Sequence, residues 1–282
     1  MNSNIEKTNP TRPAWFGPLV KRVISACVLI PVVVAIVYFG GAAFAAMVAF
    51  ASIVMLFEWT RMIEKRAFSV AFYGLALTCA AAMYFAAAGQ YAYALALCGL
   101  GGVVAILSAR HDFGKALWLG FSALYIVAPC IALIWLRLDA ANGQALSFIL
   151  YSVVWAADTG AFFFGKFIGG PKISHALSPS KTWAGIGGGV LGGSLSGAFA
   201  AVLLIGPNAL IAFLFIGAGL GAASVFGDLV ESGFKRKFGL KDISGLIPGH
   251  GGALDRLDGM IFATSAMTGG ILLYMLAEKL QG

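Results

Sequence analysis

Asp255 and Asp258 stand three residues apart in the run Ala253-Leu254-Asp255-Arg256-Leu257-Asp258, so at a helix start they project from one face. Two hard carboxylates at that spacing, with Asp228 at the end of the preceding apolar run, suit a Mg²⁺ ion that also holds phosphate oxygens. Basic side chains are interleaved with them at Lys235, Arg236, Lys237, Lys241 and Arg256, and His250 stands between Gly249 and Gly251. A juxtamembrane patch that only attracts anionic lipid needs the positive residues alone. Carboxylates, a histidine and paired glycines in the same stretch point to metal-assisted phosphoryl chemistry.

A second set lies upstream, in Ser178-Pro179-Ser180-Lys181-Thr182-Trp183, at the mouth of another apolar run. Small hydroxyls, a lysine and free backbone N–H groups at a helix start are what a polyphosphate needs. The GxxxxGK[ST] order is absent, so this is not a Walker loop. Between 153 and 165 an apolar run contains one carboxylate, Asp158, beside Thr159 and Gly160. Such a group is costly at membrane depth unless partnered. It reads as part of a polar cavity reached from the cytoplasm, in preference to a bond with a neighbouring helix.

The elements that position these residues are membrane helices. Of 282 residues, 60% are hydrophobic and 11% charged, which excludes an ordinary soluble domain. The net charge of +7 has no polar basic domain to sit in, so nucleic acid is excluded as a partner. Stepping along the chain with a ruler of about 17–25 residues gives nine segments. They lie near 23–39, 42–57, 68–88, 91–107, 116–136, 146–168, 185–205, 209–226 and 260–277. The expected fold is an all-α integral membrane protein of nine spans.

Every basic residue except Arg137 and Lys279 falls on one side of that arrangement, which places the N-terminus in the cytoplasm and the C-terminus opposite. The first run is too long for a secretory signal core and is followed at once by another. The expected organisation is a cytoplasmic segment 1–22, a five-helix scaffold 23–145 and a catalytic region 146–282 with two cytoplasmic loops. The four cysteines lie scattered in apolar runs and read as small hydrophobes. Gly185, Gly189, Gly193 and Gly197 form a GxxxG face suited to close helix packing within the chain or, less favoured, to a homodimer seam.

The long connector resembles the signature of the phosphatidate cytidylyltransferase (CDP-diacylglycerol synthase) family, which runs from S-x-apolar-K-R through K-D and H-G-G to D-R-x-D. Ser232, Phe234, Lys235, Arg236, Lys241, Asp242, Ser244, Ile247, Pro248, His250, Gly251, Gly252, Asp255, Arg256 and Asp258 carry the match. It extends upstream through Asp158-Thr159-Gly160-Ala161 and the 178–183 run, and the span layout fits over essentially the whole chain. Ala253 stands where a larger apolar residue is expected, and Ala184 where the family often has Glu, so no acid acts at that position.

The resemblance implies a bacterial-type inner-membrane enzyme in which CTP and phosphatidic acid give CDP-diacylglycerol and pyrophosphate. It implies that Asp228, Asp255 and Asp258 hold Mg²⁺, with room for a second cation. Asp158, Ser178, Ser180, Lys181 and Thr182 would receive the nucleotide, while Lys235, Arg236, Lys241 and Arg256 hold the lipid phosphate and pyrophosphate. His250 would contact phosphate or act as a base, although phosphatidate already carries negative charge at neutral pH. The rival readings are a CTP-dependent lipid-alcohol kinase, another CDP-lipid synthase, and a transporter lined by Asp158. The last sits badly with ionisable residues gathered at one membrane face.

Overall fold

The computed structural model describes residues 16–174, 178–240, 243–244, 246 and 251–281. Its first half is a chain of long helices joined by tight turns. Helix α1 (Phe16–Phe39) passes to α2 (Gly41–Glu64) through Gly40 and Gly41, whose φ values of 66° and 56° let the chain reverse with no linker. Ser69 caps α3 (Val70–Ala87) by accepting a bond from Phe72 N at 3.1 Å, and α4 (Tyr91–Ser108) follows after Gly89. Asp112 caps α5 (Phe113–Ser122) in the same way through Lys115 N.

A single π turn, Ala123–Val127, joins α5 to α6 (Ala128–Leu138) and makes one 26-residue body, Phe113–Leu138. Pro129 sits in the first turn of α6, and the wider turn accommodates a residue that has no N–H to donate. Helix α7 (Gly143–Phe167) is followed by an antiparallel hairpin of β1 (Lys172–Ser174) and β2 (Ser178–Thr182), with Lys172 opposite Thr182 and Ser174 opposite Ser178. The chain ends with α8 (Trp183–Leu204), α9 (Leu210–Lys237) and α10 (Leu254–Gln281).

The protein is thus an all-α membrane protein. Among the described residues eight helical bodies are long and apolar enough to cross a membrane, and the apolar part of α1, Cys27–Phe39, is shorter than the other spans. Several expected boundaries are moved: α1 begins at Phe16, α2 runs on to Glu64, and two further shifts fall at the acidic residues. Helix α9 continues eleven residues beyond 226, to Lys237, and α10 begins six residues before 260, at Leu254. A hydropathy ruler stops where charges begin, whereas the backbone ladder continues because Phe234 still packs its apolar ring on Trp59, Trp118 and Tyr125. Lys235 and Arg236 therefore stand on α9 with Asp228 and not in a loop, while Asp255 and Asp258 stand at the start of α10.

The core of the first half surrounds α2. Trp59 is fully buried and donates its indole N–H to Trp118 O at 2.9 Å, and Lys65 donates to Phe238 O at 2.9 Å, tying down the end of α9. The second half packs backbone against backbone. A Cβ on Gly193 would meet Gly217 O at 2.7 Å and Gly221 Cα at 2.8 Å, and one on Gly188 would meet Gly160 O at 2.6 Å. The glycine face of α8 is therefore taken up by α7 and α9 of the same chain.

Gly193→Ala should destabilise the protein by about 1–3 kcal/mol, because the seam has no room for a methyl group. Gly187, with open space around it, tolerates the same change. Thermal unfolding of both variants in detergent checks this, and equal melting temperatures would contradict the packing.

Candidate active site

A cavity of about 380 Å³ opens between the end of α7, the hairpin, the start of α8 and α9, lined by Asp158, Phe162, Ser180, Lys181, Thr182 and Asp228 among others. Glycines permit the approach: a Cβ on Gly185 would lie 3.1 Å from Ala161 O. Thr182 is the N-cap of α8, its Oγ1 accepting from Gly185 N at 3.1 Å, so the positive end of the α8 dipole faces this space. Lys181 points inward from β2 and places Nζ 3.2 Å from Asp228 Oδ2. Asp158 is exposed on the cavity face of α7, within electrostatic reach of Lys181 and Arg256.

Asp228 also belongs to a second group. Helices α9 and α10 cross where a Cβ on Gly227 would fall 2.6 Å from Asp258 O, and this contact brings their acidic residues together. The buried carboxyl group of Asp258 is within electrostatic reach of those of Asp228 and Glu231, while Asp258 Oδ1 accepts from Gly259 N at 2.8 Å. Glu231 is 2% exposed and reaches Lys235 Nζ at 3.4 Å through Oε2; its Oε1 is buried with no hydrogen-bond partner among the described residues.

Asp255 is engaged differently. Its Oδ1 takes Lys235 Nζ at 2.8 Å, and its Oδ2 accepts from Gly252 N at 2.9 Å and Ile243 N at 3.4 Å. Lys235 Nζ joins Asp255 to Glu231, and Asp258 is within electrostatic reach of Glu231 and Asp228, so Glu231 stands among the expected trio of Asp228, Asp255 and Asp258. No three His, Cys, Asp or Glu side chains form a ready metal cage among the described residues. The donor chemistry still fits a hard cation, because carboxylates pressed together with one oxygen unpartnered invite a shared positive charge, and a magnesium ion normally keeps several non-protein ligands.

The other expected residues divide between the cavity and its rim. Ser180, Lys181, Thr182 and Asp158 line the cavity together, whereas Ser178 is a buried hairpin residue paired with Ser174. Arg236 and Arg256 are exposed, one in the last turn of α9 and the other in the first turn of α10. Lys241 and His250 lie outside the described residues. Glu231 was not among the expected residues, yet its spacing of three from Asp228 was a readable signal once α9 extends that far.

The model of the cytidylyltransferase family matches residues 20–274. A protein of Brucella suis named phosphatidate cytidylyltransferase is 33% identical over 256 residues, covering 87% of this chain and 90% of that protein. Proteins with the same name from Haemophilus influenzae and Staphylococcus saprophyticus are 42% and 43% identical over 130 and 124 residues, covering 44% and 43% of this chain and 45% and 47% of their own. The chain belongs to the cytidylyltransferase family.

Lys235 is the shared counter-charge of Glu231 and Asp255. Lys235→Gln leaves two buried carboxylates without it and should cost about 3–5 kcal/mol, with much of the loss restored by Lys235→Arg. Melting in detergent reads this directly; a Gln variant as stable as the parent would contradict the pairing.

Proposed function

We propose that this member of the cytidylyltransferase family transfers the cytidylyl group of CTP to phosphatidic acid, giving CDP-diacylglycerol and pyrophosphate. The names of its relatives support the substrates. The observation that carries the reading is Asp228, one carboxylate that both lines the cavity beside Lys181 and Thr182 and lies within electrostatic reach of the buried Asp258. A cation-binding end and a polyphosphate-binding end thus share a residue.

In this reading Ser180, Lys181 and the α8 N-terminus bind the triphosphate, and Asp228, Asp255 and Asp258, with Glu231 among them, would hold Mg²⁺ or Mg²⁺ and a second cation. The ion supplies neutralisation of phosphate charge when bound. A phosphatidate oxygen attacks the α-phosphorus in line; the new P–O bond forms as the bond to the β-phosphate breaks, and pyrophosphate leaves with the electron pair. Positioning two anions is most of the task. Arg256 and Arg236 flank the site and would steady the lipid phosphate and the departing pyrophosphate, together with Lys241. His250 would contact phosphate, since the attacking oxygen is already ionised.

The site faces the cytoplasm of a bacterial inner membrane, with nine spans and an internal N-terminus, because the basic residues collect at the site's end of the bundle. A reporter fused after Gln281 should read as non-cytoplasmic; a cytoplasmic signal would overturn this topology.

Position-specific label tests the reaction. CTP labelled at the α-phosphate should pass its label into the lipid extract when phosphatidate is present, and label at the γ-phosphate should appear only in pyrophosphate. Label from the γ-phosphate in the lipid would identify a kinase instead, and no transfer of either label would reject both.

A further inference from the structure

Glu58 is a fully buried carboxylate on α2, in the half of the chain that holds none of the residues named above for the reaction. Its Oε2 accepts from Leu254 N at 2.8 Å, and its Oε1 accepts from Ala253 N at 3.0 Å and from the Ser244 hydroxyl. Leu254 is the first residue of α10, so the bonds fall on the N–H groups that a helix start leaves without partners. The cap comes from a side chain 195 residues away in sequence from Ala253. A charged acceptor here gains both from the helix dipole and from charge-assisted bonding.

The same contact explains a glycine. A Cβ on Gly252 would sit 2.8 Å from Glu58 Oε1 and 2.9 Å from Asp255 Oδ2, so the backbone passes between two carboxylates with no space for a side chain. Asp255, on the first turn of α10, and Asp258, less than one turn further, inherit their placement from this anchored end. Asp258 stands five residues into α10, within electrostatic reach of Asp228 and Glu231, so unwinding the first turn would displace it.

We propose that Glu58 is a positioning residue for the transfer reaction: by capping α10 from α2 it holds Asp258 against Asp228 without itself touching either substrate. This role rests on the proposed function, while the contact it depends on does not.

The test is Glu58→Gln, which keeps the side chain's shape but replaces one acceptor oxygen by an amide NH₂ donor, with Glu64→Gln on the same helix as control. Hydrogen exchange of a peptide spanning 251–257 should accelerate about tenfold or more in Glu58→Gln, because a frayed first turn opens locally. The kcat should fall by roughly tenfold to a hundredfold with KM for CTP changed less than about threefold, since the cavity around Lys181 is untouched and misplacement of about 1 Å acts on the chemical step. Half-saturation by Mg²⁺ should shift upward in parallel, a change that simple loss of stability does not produce. Glu58→Asp, which keeps the charge on a shorter reach, should recover part of kcat. Faster exchange with unchanged kcat would overturn the positioning role, and unchanged exchange would overturn the cap. If Glu58→Gln does not insert, the same comparison is made with Glu58→Asp, and in the parent the amides of Ala253 and Leu254 must be protected or the inference falls. Should the parent show no CTP-dependent transfer, the proposed function fails while exchange still decides the cap.

Discussion

Carboxylates gathered within electrostatic reach of one another inside a helical bundle dominate this structure. Asp258 and Glu231 are buried, and Asp258 is within electrostatic reach of both Glu231 and Asp228 at the crossing of α9 and α10. Removing such groups from water is unfavourable by several kcal/mol each unless positive charge or donors replace the solvent. Lys181 supplies one counter-charge to Asp228 from the hairpin, and Lys235 supplies another to Glu231 from one turn along α9. A hard cation completes the compensation in the function proposed.

The rest of the architecture serves that crossing. Glycines at 227 and 259 let α9 and α10 approach until their acidic residues meet, and the glycine seam of α7, α8 and α9 brings the α8 N-terminus beside the same carboxylates. The first half of the chain is more than ballast. Trp59 and Lys65 secure the end of α9, and Glu58 secures the start of α10, so α2 fixes both helices that carry the acidic group.

Much of this was legible in the sequence, and the failures have definite causes. Thr182 as a helix start, Lys181 beside it and Asp158 in a cavity all came together, because capping chemistry and an acid in an apolar run are local signals. Helix ends in charged stretches were misplaced, because hydropathy counts side chains while a helix continues as long as its ladder and one packed face persist. Asp255 also bonds Lys235 and the backbone of Gly252, partners that only tertiary structure could bring to it. Glu58 carries no sequence signal, because it lies at the end of an apolar run with no pattern among its neighbours and its partners are nearly two hundred residues distant.

Titration with Mn²⁺, followed by its electron paramagnetic signal in the presence of CTP, measures the central claim most directly, because it reads the carboxylate group itself. The purified protein should show a saturable site that Mg²⁺ displaces, and Asp228→Asn and Asp258→Asn should each weaken it by about tenfold or more, since each removes a hard anionic ligand. Binding as tight in both variants as in the parent would contradict the account, whatever their activity.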